Sequence, residues 1–188
     1  MKLDLLRHGE TERGGGFRGS LDDALTDTGW AQMRAGADSA GPWDILVSSP
    51  LQRCAAFARE LEQRLGLPLQ FDADLRELHF GQWEGRSAAE LMEDHAEGLG
   101  QFWNDPYSFT PPDGETLLDF EARVLAAAER LRERFAGKRV LLVTHGGVIR
   151  MLVARARQLP RAQLMQVEVA HGELFRLAFD EHGLRERP

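Results

Sequence analysis

The chain has 188 residues, 43% of them hydrophobic and 28% charged, which is enough for one globular domain with a sizeable core. A formal net charge of -7 argues against a nucleic-acid or anionic-membrane surface, so any phosphate bound here has to meet a local cluster of arginines. Cys54 is the only cysteine, which excludes an intramolecular disulfide and a cysteine-built zinc site. With no signal-like stretch at the amino terminus and no run of about 18 apolar residues, a reducing, cytoplasmic setting is expected.

Leu3 to Leu6 read as a short buried strand that stops at Arg7 and His8. "RGGGFRG", residues 13 to 19, is too glycine-rich for regular structure and predicts a loop folded close over something. Thr26 caps a predicted helix over about 27–38. Ile45 to Val47 form a second strand, with Ser49 expected as helix cap and Pro50 at the first helical position. Leu51, Cys54, Ala58, Leu61 and Leu65 recur at steps of three and four, one apolar stripe on a helix ending at Gly66.

From 69 to about 112 the pattern is less regular, with a predicted helix over 87–103 and a Pro-containing loop. An insertion of this kind suits a lid or substrate wall on an otherwise single domain spanning 1–188. Its aromatic residues Trp83, Phe102, Trp103, Tyr107 and Phe109 are either core or flat surfaces for a substrate. Leu117, Phe120, Val124, Ala128, Leu131 and Phe135 then mark a long amphipathic helix. Val140 to Val143 is the most continuous buried strand, followed by a glycine turn and another helix. "MQVEVA" and "ELFRLAF" read as two closing strands. Strands alternating with helices predict an α/β three-layer sandwich, a mainly parallel central sheet with helices on both faces.

In such sheets ligands bind outside the carboxyl ends of the strands. Arg7 and His8 follow the first strand, Arg53 the second, and His145 with Gly146 and Gly147 the last long one. Arginine forks and a helix amino terminus together describe an oxyanion pocket, most simply a phosphate pocket. Imidazole supplies a nucleophile at neutral pH, and "LRELHFGQWEG" offers Glu77 and Glu84 as proton donors. The six histidines show no H-x-H, H-x-x-x-H or HExxH spacing, so no metal and no other cofactor is expected. A phosphate-binding G-x-x-x-x-G-K-[ST] loop is also missing.

The blocks "LLRHGET", "LTDTGWAQ", "VSSPLQRC", "LRELHFGQWEG", "PPDGET" and "VTHGGVIR" occur in an order that resembles the histidine phosphatase superfamily, which includes phosphoglycerate mutases. The resemblance covers most of the chain. It implies that His8 attacks phosphorus and becomes a phosphohistidine, that Arg7, Arg53 and His145 bind the phosphoryl oxygens, and that Glu77 is the proton donor. It further implies that the Gly146 backbone approaches the phosphate and that Glu84 is structural. Many members carry an asparagine six residues after the nucleophile, where this chain has Gly14. Backbone N–H groups or Arg18 are the expected substitutes. Within the superfamily the chain looks most like the α-ribazole phosphatases of cobalamin synthesis, metal-independent monoesterases acting on a small phosphate ester. A broad-specificity or sugar-phosphate phosphatase, a phosphoglycerate mutase and a catalytically inert phospho-ligand binding module are the other readings. Oligomeric state is not written in the sequence.

Overall fold

A computed structural model describes residues 1–187. Six strands, β1 (Lys2–Arg7), β2 (Ile45–Ser48), β3 (Leu69–Phe71), β4 (Arg139–Thr144), β5 (Leu174–Asp180) and β6 (Gly183–Glu186), form one sheet in the order β3-β2-β4-β1-β5-β6. The four strands from β3 to β1 run parallel, and β5 and β6 close the other edge antiparallel. The sheet is therefore mixed and mainly parallel, as expected. Helices α1 (Asp27–Asp38), α2 (Gln52–Leu65), α3 (Ala88–Asp94), α4 (Ala96–Asn104), α5 (Leu117–Arg134) and α6 (Gly146–Ala156) complete the fold.

The central strands are apolar on both faces because both are covered. Leu3, Leu5, Val140 and Leu142 join one core with residues of α5 and α6. Leu6, Leu46, Leu141 and Val143 point the other way and join Met33 of α1 and Phe57 and Leu61 of α2. This arrangement leaves the carboxyl ends of β1, β2 and β4 side by side, since Arg7 pairs with Thr144 and Ser48 with Val143.

Four local expectations need correction. Helix α2 starts at Gln52 with Leu51 as its cap, two residues later than predicted. The Ser49 hydroxyl takes a histidine ring nitrogen at 2.7 Å, and Asp22 accepts from the Gln52 amide at 2.6 Å, so the helix end is satisfied from a neighbouring loop. The helix predicted over 87–103 is two helices, broken at His95. The irregular stretch starts after β3, which carries 69–71 into the sheet edge. Finally, "MQVEVA" is no strand: the carbonyls of Val167 and Val169 accept from Arg150 and Arg7 side chains, and the residues up to Gln166 form a short 3-10 helix. Among the described residues no helix is long and apolar enough to cross a membrane.

Candidate active site

Strand β1 delivers Arg7 and His8 to the sheet edge, and the His8 amide continues the ladder by donating to the Thr144 carbonyl at 2.9 Å. The His8 side chain is buried, and its Nδ1 lies 2.8 Å from the Gly9 carbonyl. A carbonyl only accepts, so Nδ1 carries the proton and Nε2 keeps its lone pair. Burial, reinforced by the charge of Arg53, holds the His8 pKa well below the usual value of 6.5. The ring is neutral at pH 7, in the tautomer a nucleophile requires.

Arg53, in the first turn of α2, and His145, at the end of β4, are both wholly buried. The Arg53 Nε–H donates to His145 Nδ1 at 3.2 Å, so His145 carries its proton on Nε2 and donates it to Ser49 Oγ at 2.7 Å. Burial and the same guanidinium hold His145 neutral as well, its pKa well below 6.5. The two rings meet edge to face with centroids 5.3 Å apart. Arg53 and His145 are thus packed against the nucleophile as fully buried groups. The remaining Arg53 N–H groups donate to the carbonyls of Leu21 at 2.5 Å and Gly19 at 2.8 Å.

That loop is itself fixed by Glu84, whose carboxylate accepts from the amides of Gly19 at 3.0 Å, Ser20 at 2.8 Å and Phe80 at 3.0 Å. Glu84 is therefore engaged in tying two loops together, far more a structural anchor than a free acid.

Glu77 sits on the segment after β3. Its Oε2 accepts from the Gly147 amide at 2.9 Å and its Oε1 from the Leu78 amide at 3.0 Å. A Cβ on Gly147 would come within 2.1 Å of Glu77 Oε1, which explains the second glycine of "THGG" by close approach. Behind Glu77, Arg123 of α5 donates to the backbone carbonyls of Asp74, Arg76 and Glu77 at 2.7, 2.8 and 3.0 Å and pairs with Glu115.

An open cleft of about 280 Å³ is lined by Arg7, His8, Glu77, Gly146, Arg150 and His171 together with the Gly14–Gly16 loop. The Arg7 NH1 donates to the Val169 carbonyl at 2.6 Å, while its Nε is buried beside Gly146 without a partner. An unpaired buried N–H at a cleft wall is a ready donor for an anion's oxygen. Arg18 also reaches this cleft, but its guanidinium is turned onto the Gly14 carbonyl at 3.1 Å and the Asp23 carboxylate at 3.4 Å. It braces the glycine loop and leaves position 14 without a side-chain substitute.

A second, apolar cavity of about 150 Å³ adjoins the cleft, sharing Phe17, Glu77, Phe80, Gly147 and Arg150 with it. Trp103, Pro106, Leu164 and Met165 form its outer wall, with Trp103 46% exposed at the mouth. Trp83, by contrast, is buried in an aromatic cluster with Phe17, Phe80, Phe102 and Phe109, of which Phe17, Phe80 and Phe102 also line the cavity.

The structure thus brings Arg7, His8, Glu77 and Gly146 onto one cleft and packs Arg53 and His145 beneath it. It adds Arg150, His171 and Arg123, which the motifs did not single out. Arg150 follows Gly146 by one helical turn, a spacing legible in "THGGVIR". "AHGE" at 170–173 repeats the "RHGE" of 7–10. Among the described residues no group of three or more His, Cys, Asp or Glu is placed to hold a metal ion.

The family model of the Histidine phosphatase superfamily (branch 1) matches residues 3–187. Among curated relatives, a glucosyl-3-phosphoglycerate phosphatase of Mycobacterium tuberculosis is 35% identical, over 86% of this chain and 77% of that protein. An adenosylcobalamin/alpha-ribazole phosphatase of Escherichia coli is 32% identical, over 92% and 87%. A bifunctional protein of M. tuberculosis is 36% identical over 95% of this chain, which spans about half (48%) of that protein's length. The crystal structure of the alpha-ribazole phosphatase from Shigella flexneri superposes with a TM-score of 0.87 at 29% identity, covering 100% of this chain and 95% of that one.

Proposed function

The chain belongs to the histidine phosphatase superfamily, and from that premise we propose that it is a phosphoric monoester hydrolase that acts through a phosphohistidine on His8. The observation that carries this reading is the His8 ring itself, buried, neutral and tautomerically fixed with Nε2 unprotonated beside an anion-ready cleft. His8 Nε2 attacks phosphorus, and the bond from phosphorus to the ester oxygen breaks. Glu77 gives its proton to the departing oxygen, then takes one back from the water that attacks the phosphohistidine and releases inorganic phosphate. Arg7 meets the phosphoryl oxygens at its unpaired Nε, and the Gly146 backbone opens a helix amino terminus toward them. Arg53 contributes its buried positive charge close to the nucleophile, and with Ser49 it fixes the His145 ring against His8.

The apolar cavity beside Glu77 favours a flat, apolar leaving group held against Phe17, Phe80 and Trp103. An α-ribazole 5′-phosphate, acted on in the cytoplasm during cobalamin synthesis, fits that description better than a sugar acid, and residues 72–112 supply part of its wall through Leu78, Phe80, Phe102, Trp103 and Pro106. The second reading is a sugar-acid phosphate such as glucosyl-3-phosphoglycerate, favoured by Arg150 at the junction of the two cavities, where it can meet a carboxylate. The test is kcat/KM across α-ribazole 5′-phosphate, glucosyl-3-phosphoglycerate, p-nitrophenyl phosphate and 3-phosphoglycerate, with EDTA present and with His8→Ala. We expect the α-ribazole ester to rank first, with turnover insensitive to EDTA and lost in the variant. A requirement for added metal, full activity in His8→Ala, or conversion of 3-phosphoglycerate to its isomer without free phosphate overturns the mechanism.

A further inference from the structure

We infer that His171 is a phosphate-binding residue of this site, donating a ring N–H to a phosphoryl oxygen in the cleft. The inference rests on the phosphohistidine reading above and extends it to a residue outside the motifs.

The His171 ring lies on the cleft with its centroid 5.7 Å from that of His8. It makes no hydrogen bond to any described residue, although polar groups around it are engaged. Its backbone is held firmly. The turn from Ala170 to Glu173 is closed by the Glu173 amide on the Ala170 carbonyl at 3.2 Å and by the Glu173 carboxylate on the Ala170 amide at 2.6 Å. Gly172 takes a φ of 69°, and a Cβ there would come within 2.5 Å of the Gln32 carbonyl oxygen, so the turn is packed hard against α1. On one side the Arg7 amide holds the Glu173 carbonyl at 3.1 Å, and on the other Arg7 NH1 holds the Val169 carbonyl at 2.6 Å. The same arginine that faces the phosphate therefore sets the position of the histidine.

His171 complements the donors that the rest of the cleft offers. Residues 14 to 16 are glycines with no side chain to give. Arg18 engages carbonyls and Asp23 through Nε and NH2 and keeps only NH1 unpaired, and Arg53 N–H groups are turned onto His145, Gly19 and Leu21. Three phosphoryl oxygens thus meet the unpaired Arg7 Nε and Arg18 NH1, the Arg150 guanidinium, a helix start and His171. Neutral imidazole always keeps one N–H, which is enough for a charge-assisted hydrogen bond. Burial and the neighbouring Arg7 charge keep the ring in that neutral form in the free enzyme.

The experiment measures the Kd of inorganic phosphate by calorimetry, and kcat and KM with p-nitrophenyl phosphate, for wild type, His171→Ala and His171→Asn, with melting temperatures as the control for folding. Loss of one hydrogen bond to a charged group is expected to weaken phosphate binding about tenfold or more in His171→Ala. KM rises in step, and His171→Asn, which keeps an N–H donor, recovers most of the loss. A wild type that hydrolyses the ester while His171→Ala binds phosphate within twofold of it overturns this assignment alone. Equal weakening by Ala and Asn at unchanged melting temperature overturns it too. A wild type that neither hydrolyses the ester nor binds phosphate overturns the phosphatase reading beneath it as well.

Discussion

His8 and His145 are buried as neutral rings, and the price of that arrangement is a stability that falls with acid in a defined window. Both folded-state pKa values lie well below 6.5, so above pH 6.5 neither ring binds a proton in either state and stability is independent of them. As pH falls through 6.5 the unfolded chain takes up two protons that the folded protein refuses, and the folded state loses ground until its own depressed pKa values are reached. Each such group tends to a slope of about 1.4 kcal/mol per pH unit. Between pH 6.5 and 5.5 the integrated loss is about 1 kcal/mol per ring, hence about 2 kcal/mol for the pair. His171 is also shifted down, but it is exposed at the cleft rim and adds less. The assay is urea denaturation at pH 7.0, 6.5, 6.0 and 5.5, without phosphate, for wild type and His8→Asn. The midpoint is expected to fall steadily below pH 6.5 at constant m, and His8→Asn to show roughly half the slope. A midpoint flat down to pH 5.5, or an unchanged slope in the variant, refutes the claim that these rings are held neutral by burial.

Three further outcomes follow from named contacts. In Gly147→Ala the new methyl displaces the Glu77 carboxylate, and kcat is expected to drop about 100-fold while phosphate still binds, since a displacement of about 1 Å costs that much; a kcat within threefold of wild type counts against Glu77 as the proton carrier. Arg123→Leu releases the three carbonyls that hold the Glu77 segment, so kcat should fall tenfold or more, in the range of about 10- to 100-fold, with the Kd of phosphate unchanged; stopped-flow kinetics beside calorimetry separates the two. Glu84→Gln removes one accepting oxygen from the loop at 19–21 and is expected to destabilise the protein by about 1.5–3 kcal/mol, measured by urea denaturation.

What the sequence makes legible are the residues whose position follows from a strand's end. Arg7, His8, Arg53 and His145 each lie within a few residues of a short apolar run, and a parallel strand that is buried on both faces shows its end as an abrupt change to polar residues. Glu77 is different. No periodicity marks 72–83, and the residues alone leave Glu77 and Glu84 as equal candidates that only the resemblance separates. The physical reason is that its segment is ordered from outside, by Arg123 on α5 and by the Gly147 amide, neither of which leaves a trace in the local pattern.

The segment 165–170 shows the converse error and what it conceals. Its alternation of Val167 and Val169 with polar residues is real, and both valines are buried, yet the backbone between them joins no sheet. Alternation reports which side chains are buried, and it is silent on what satisfies the backbone carbonyls. Here those carbonyls accept from Arg7 and Arg150, two of the three arginines on the cleft. A strand in this place would have its carbonyls engaged by a neighbouring strand and would leave both guanidinium groups to find other partners. The departure from the sheet is therefore what sets these two arginines at the cleft and, two residues after Val169, sets His171 beside the nucleophile.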